Sequence, residues 1–235
     1  MSKVLIIPDV HLKHWMFDKA EECLNAGDYD NVVCLGDLVD DWDQGKNLNL
    51  YEETLNRAIR FAKEHENMLW CYGNHDVSYL WLKLETGYSE FARPIVVSKI
   101  NELERCLQGQ LRFVHNLDNV IFSHAGLTQE FVDECVSEDI TELEDVIDEI
   151  NSLGKWDLWR DKSPIWARPQ NGDYDMYRED LFQVVGHTPV DAPLLTGNVL
   201  TLDTFSTYRH GIPIGNQRFV WIDTVSLEWD YAKGK

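Results

Sequence analysis

Five short apolar runs, each stopping at an Asp, Asn or His, constrain this chain more than any other feature. Val4-Leu5-Ile6-Ile7-Pro8 runs into Asp9-Val10-His11, and Val32-Val33-Cys34-Leu35 runs into Gly36-Asp37. Asn67-Met68-Leu69-Trp70-Cys71-Tyr72 runs into Gly73-Asn74-His75-Asp76. Val120-Ile121-Phe122-Ser123 leads to His124-Ala125-Gly126, and Val184-Val185 leads to Gly186-His187-Thr188-Pro189. Unbroken apolar runs of this length read as strands buried on both faces. Gly permits the sharp turn that follows, and open α/β sheets place their ligands at the C-terminal ends of such strands. Taken singly, a tetrapeptide such as 73–76 is an ordinary capped turn. Five deliveries of Asp, Asn and His to one sheet edge instead make a site, since these residues bind borderline and hard divalent ions.

The stretches between the runs supply helices. Trp15 to Ala26 carries Phe17, Ala20, Cys23 and Leu24 at helical spacing with Gly27 as its cap, and Leu50 to Glu66 carries Leu55, Ala58, Ile59 and Ala62 on one face. Strand, helix, strand, helix in this order predicts parallel pairing through right-handed crossovers, hence an α/β fold. Val77 to Leu107 reads as mainly helical, broken near Gly87 and at Arg93-Pro94. Leu111 to Val114 and Val120 to Phe122 read as adjoining strands opening a second sheet, and 142–150 reads as a helix with a solvated carboxylate face. Residues 154–181 have weak periodicity, several Trp and Pro, and the cations Lys155, Arg160, Lys162 and Arg168, which predicts a long loop folded over the site. Strands near Phe182 to Val185, Val199 to Asp203 and Arg218 to Asp223 close the chain, with no repeat or linker, so 1–235 is expected to form a single domain.

Charge narrows the partners. Lys plus Arg number 21 against 41 Asp plus Glu, a formal net charge of −20, which repels long nucleic acid. The cysteines, Cys23, Cys34, Cys71, Cys106 and Cys135, are odd in number and form no CxxC pair, so they read as thiols rather than a disulfide framework. Met1-Ser2-Lys3 leads straight into a strand, and no apolar run approaches the ~18 residues of a membrane span, so a cytoplasmic location without membrane association is expected.

The ordered set Asp9-Val10-His11, Gly36-Asp37-Leu38-Val39-Asp40, Gly73-Asn74-His75-Asp76, His124-Ala125-Gly126 and Gly186-His187-Thr188 resembles the five motifs of calcineurin-like metallophosphoesterases. It is most similar to the phosphoprotein phosphatase branch, which includes bacterial and phage serine/threonine phosphatases and symmetrical diadenosine tetraphosphate hydrolases. The resemblance implies a sandwich of two mixed β-sheets flanked by helices, with the site at the strand C-terminal ends. It also implies two divalent ions, the first held by Asp9, His11 and Asp37, and the second by Asp37, Asn74, His124 and His187, with Asp37 as the bridge. Mixed oxygen and nitrogen donors suit manganese, iron or zinc better than calcium. A hydroxide shared by the ions would attack phosphorus directly, His75 would protonate the leaving oxygen, and Asp40 would orient His75.

The implied activity is hydrolysis of phosphate monoesters on a small molecule or a phosphoprotein, phosphoserine and phosphothreonine being candidate substrates. The alternatives are a dinucleoside polyphosphate hydrolase and a phosphodiesterase, although Pro189 stands where the latter group commonly has a second His. A binding module without chemistry is disfavoured because every expected ligand and His75 are present. The chain departs from the branch at Pro8 and Leu12, which replace glycines, and at Asp41, which stands where the branch has a phosphate-binding arginine. Arg168, in Trp166-Ala167-Arg168, resembles the tryptophan-x-arginine segment of phage and bacterial phosphatases and is expected to contact phosphate, with Arg160 as a second candidate. His14, His65, His115 and His210 lie outside the motifs and carry no expected role.

Overall fold

The computed structural model describes residues 2–172 and 174–234. Its first strand, β1 (Lys3–Ile7), lies parallel to β2 (Asn31–Cys34), which lies parallel to β3 (Met68–Cys71), and β3 pairs in parallel with the short β4 (Leu111–Arg112). The helices α1 (Trp15–Ala26) and α2 (Leu48–Glu64) form the crossovers. Then come α3 (Asn74–Trp81) and α4 (Arg93–Leu107), and Arg93-Pro94 begins the second of these instead of only interrupting a helix, as expected where Pro occupies the first turn.

The second sheet opens with the hairpin of β5 (Val114–Leu117) and β6 (Val120–Ser123). The run read from sequence as one strand over Leu111 to Val114 therefore divides at Phe113: Leu111–Arg112 completes the first sheet and Val114 begins the second. Helices α5 (Gln129–Cys135), α6 (Leu143–Ser152) and the one-turn α7 (Lys155–Leu158) follow. The predicted loop over 154–181 thus contains α7 and a 3₁₀ turn at Pro169–Asn171. Next come β7 (Phe182–Val185), β8 (Leu194–Thr196) and β9 (Val199–Thr201), and then β10 (Val220–Asp223) and β11 (Trp229–Tyr231). The sheet orders are β11-β10-β1-β2-β3-β4 and β5-β6-β7-β9-β8, both mixed, and the two sheets lie face to face between helices.

Alternation along the strands builds this sandwich. On β1, Val4 and Ile6 point between the sheets, where they meet Val33, Phe122, Val184 and Ile222, while Leu5 and Ile7 pack under α1, α2 and α4. Ile121 of β6 points the other way, onto the cluster of Phe131, Val146, Ile147 and Ile150 from α5 and α6. β1, β2 and β3 run parallel to one another and β6 runs parallel to β7, and the turns after their C-terminal ends bring Asp9, His11, Asp37, His124 and His187 together at one end of the sandwich. Among the described residues no helix is long and apolar enough to cross a membrane, and all five cysteines are free.

His115 links the sheets: it is buried on β5, and its Nε2 lies 3.0 Å from the Trp70 carbonyl of β3. Burial pushes its pKa down to about 4, against a smaller upward pull from the Trp70 carbonyl. The unfolded chain takes up that proton first, near pH 6.5, so the stabilisation is complete above about 6.5 and is lost as pH falls toward 4, by up to ~3 kcal/mol. Denaturant unfolding from pH 7 to 4 should be less acid-sensitive in His115→Gln than in the wild type, and parallel curves would refute this linkage.

Candidate metal centre and active site

Backbone geometry is unusual at three of the five strand ends, those after β1, β2 and β7. His11, Asp37, Asp40 and His187 all have positive φ, at 42°, 47°, 67° and 63°, which is uncommon for residues other than Gly and concentrates at functional sites. Two glycines are required by close approach: a Cβ on Gly73 would lie 2.0 Å from Asp37 Oδ1, and one on Gly186 would lie 1.9 Å from Asp9 Oδ1. The turns are thus packed carboxylate against backbone, and the functional side chains have little freedom.

Among the described residues two groups of donors result, Asp9-His11-Asp37 and Asp37-His124-His187, with the ligand atoms of each lying within 4.8 Å of one another. Asp37 is common to both. Its Oδ1 accepts from the His75 backbone N–H at 2.9 Å, while Oδ2 lies 3.3 Å from His124 Nε2 and 3.7 Å from His11 Nε2. Asn74 Oδ1 lies 2.9 Å and His187 Nδ1 3.1 Å from the same His124 Nε2. Asp9 accepts from the His187 backbone N–H, at 3.1 and 2.9 Å for its two oxygens.

These donors fit divalent cations. His124 Nδ1 faces the Leu35 carbonyl at 2.8 Å and His11 Nδ1 faces the Asp40 carbonyl at 2.9 Å, so each ring spends its N–H outward and turns the Nε2 lone pair inward. Nitrogen, amide-oxygen and carboxylate donors then converge within each group, an arrangement that calls for positive charge. Protonation follows the same field. A proton on His124 Nε2 can supply that charge in place of a cation: burial opposes a charged His124, but Asp37 and Asp9 outweigh it and push its pKa up to about 10. Burial also works against the Asp37 anion, yet His124 and His75 hold that carboxyl far below the usual range. Burial, then His124 and Arg168, press His187 well below the ordinary imidazole value, leaving a neutral ring whose buried Nε2 has no hydrogen-bond partner among the described residues.

His75 and Asp40 stand beside this cluster. His75 Nδ1 lies 3.0 Å from Asp40 Oδ2, and the other Asp40 oxygen accepts from the hydroxyls of Tyr51 at 2.8 Å and Tyr79 at 2.5 Å. Burial lowers the His75 pKa, but Asp37 and Asp40 more than reverse this and raise it to about 9. Asp76, unassigned from sequence, is a brace: its oxygens accept from the Gly73 and Leu38 backbone N–H groups.

The donors open into a cleft of about 550 Å³ that is also lined by Lys13, Asp41, Trp42, Asp43, Trp166, Arg168, Asp203 and Arg209. Of the predicted loop, Trp166 and Arg168 line the cleft: Trp166 sits edge-on to His187 at 5.6 Å, and Arg168 Nη1 donates to Thr188 Oγ1 at 2.9 Å. Arg160 does not line it, which corrects its expected place. Arg160, two residues past the end of α7, pairs at the surface with Asp157 at 3.0 Å and Glu134 at 3.4 Å. The negative charge of Asp41 and Asp43 is balanced, by Lys13 at 3.3 Å and by Arg209 at 3.2 Å. Among the other histidines, His14 and His65 face Glu53 and Glu21, and His210 is exposed.

Sequence reasoning missed Lys13, Tyr51, Tyr79 and Asp203. Asp203 follows β9 just as Asp9 follows β1, so Val199-Leu200-Thr201-Leu202-Asp203 was a sixth run of the same kind. The tyrosines gave no such signal, since a buried aromatic on a helix reads as core.

No curated protein matches the chain in sequence. Among solved structures, a point mutant of a cold-active protein tyrosine phosphatase superposes with a TM-score of 0.61 at 17% identity, covering 99% of this chain and 81% of that one. The cold-active protein-tyrosine phosphatase of a psychrophilic Shewanella species gives 0.57 at 18% identity, covering 99% and 81%. At such identities the likeness establishes the shared fold. The family model described as calcineurin-like phosphoesterase matches residues 2–214, and with that match the chain belongs to the calcineurin-like phosphoesterases, hydrolases that act on phosphoric ester bonds.

Proposed function

We propose that the chain is a dinuclear-metal-dependent phosphatase of phosphate monoesters, acting on a phosphorylated small molecule or a phosphoprotein, with phosphoserine and phosphothreonine as candidate substrates. The observation that carries this reading is the sharing of Asp37 by two donor groups within one cleft, beside the His75–Asp40 pair. Asp9, His11 and Asp37 would hold one ion, and Asp37, Asn74, His124 and His187 the other. Manganese, iron or zinc match the mixed donors. When bound, two such ions supply an acidified water and neutralise the charge that builds on the phosphoryl oxygens.

The chain's own side chains would do the rest. Arg168, oriented by Thr188, is suited to take two phosphoryl oxygens with its planar fork. His75, with its pKa raised to about 9, would carry a proton at neutral pH and give it to the leaving oxygen. We place all of 1–235 in one domain, with 154–181 contributing Trp166 and Arg168 to the cleft wall.

The test is a substrate panel on metal-defined protein. Monoesters such as p-nitrophenyl phosphate and phosphoserine peptides should turn over faster than bis-p-nitrophenyl phosphate or diadenosine tetraphosphate, and chelation should abolish all turnover. Undiminished activity in the chelated protein would overturn the metal reading. Faster diester or dinucleotide cleavage would overturn the monoester reading.

A further inference from the structure

We propose that Lys13 is a second anion-binding residue, whose ammonium meets the substrate's phosphoryl oxygens beside His11, together with Arg168 beside His187. This rests on the phosphatase reading above and adds a residue to it. Lys13 is 7% exposed, and a lysine this buried is kept where its charge has partners. It has two acceptors among the described residues, the His11 carbonyl at 3.2 Å and Asp41 Oδ2 at 3.3 Å. An ammonium has three protons, so one donor is unspent, and the side chain lines the cleft. Both contacts are longer than the ~2.7–2.9 Å of a tight charge-assisted bond, which leaves the ammonium free to trade them for a phosphate oxygen.

The backbone and the carboxylate partner both serve this placement. His11 and Leu12 have consecutive left-handed conformations, φ 42° and 60°, which fold the chain back so that the Lys13 N–H reaches the Val10 carbonyl at 3.0 Å. The strain sits on the candidate ligand His11 itself and on Leu12, and the turn it makes carries Lys13 to the cleft wall. Asp41 is itself fixed, since its Oδ1 accepts from the Trp42 N–H at 2.8 Å and from Thr207 Oγ1 at 3.2 Å. It therefore holds Lys13 at the cleft wall while weakening its pull on an anion. The two cations line the same cleft beside different candidate ligands: Lys13 bonds the carbonyl of His11, and Arg168 bonds Thr188, the neighbour of His187. Arg209 completes no such arrangement, because it and Asp43 form a surface pair with side chains 67% and 66% exposed.

The test measures binding of inorganic phosphate by calorimetry, with metal content and Tm, in metal-loaded wild type, Lys13→Met, Lys13→Arg, Asp41→Asn and Arg168→Ala. Lys13→Met should weaken phosphate about tenfold or more, comparably to Arg168→Ala, with both ions retained, and Lys13→Arg should stay within about threefold of wild type. Asp41→Asn, which frees the ammonium and removes a negative charge, should tighten phosphate by about threefold. Unchanged phosphate affinity in metal-replete Lys13→Met would overturn the proposal. So would Asp41→Asn losing phosphate affinity and Tm together, the mark of a pair that only holds two loops, and this arm decides the matter if Lys13→Met does not fold. A metal-loaded wild type that binds no phosphate and turns over no ester would instead remove the phosphatase reading itself.

Discussion

Asp37→Asn is expected to give a folded protein that loses both ions and retains less than ~1% of wild-type turnover. The size of the effect follows from position. Asp37 belongs to both donor groups, so one oxygen replaced by an amide NH₂ damages both sites at once. The atom at stake is Oδ2, 3.3 Å from His124 Nε2 and 3.7 Å from His11 Nε2. Oδ1 is committed to the His75 N–H and fixes the rotamer, so an Asn keeping that acceptor must present its NH₂ to the imidazole lone pairs and to any cation between them. The fold should survive, because the apolar clusters on either side of the two sheets do not include residue 37. Metal analysis, near-ultraviolet circular dichroism and turnover of p-nitrophenyl phosphate together decide the matter. A variant that still holds two ions per chain would show that Asp37 does not bridge them.

How much of this was legible beforehand depends on the range of the interaction. The five strand ends are local: an apolar run and the polar residue that stops it are contiguous, so the sequence displays both the strand and what it delivers. The parallel order of β1, β2 and β3 then follows from the helices between them. Short edge strands such as β8 and β11 were not legible, because three residues carry too little periodicity and their pairing is set by the strand beside them. The split at Phe113 was hidden for a similar reason, since nothing local tells Arg112 and Val114 that they belong to different sheets. At the site, Asp41 was legible as a charge but not as half of a pair, because Lys13 lies 28 residues away along the chain. The tyrosines that hold Asp40 come from α2 and α3, where their spacing is that of core residues. Arg160 failed for the opposite reason: its sequence neighbourhood resembled that of Arg168, yet a turn of chain separates a cleft arginine from a surface one.

His75→Asn should lower kcat for alkyl phosphates by ~100-fold or more while both ions stay bound, and the loss should shrink for p-nitrophenyl phosphate. The distinction rests on what His75 is built to do. Its ring is in neither donor group, and it packs edge-on against His11 at 5.2 Å, so it stands beside the candidate metal ligands without being one. Its Nδ1 is taken by Asp40 at 3.0 Å, which leaves Nε2 to face the cleft. Asp40 cannot swing away, since Tyr51 and Tyr79 both donate to its other oxygen, and the Ser89 N–H in turn holds the Tyr79 hydroxyl at 2.8 Å. Burial and the nearby Asp40 raise the pKa of both phenols, so these hydroxyls remain donors across the working pH range. The result is an imidazole fixed in direction, with Asp37 and Asp40 raising its pKa to about 9, which suits it to carry the proton that we propose it delivers. An alkoxide leaving group needs that proton in the transition state, whereas p-nitrophenolate is stable without it, so only the first should suffer the full loss. Measuring kcat for both ester classes in wild type and variant, with metal content confirmed, separates the roles: equal losses on the two substrates would mean that His75 positions the phosphate and does not protonate the leaving oxygen.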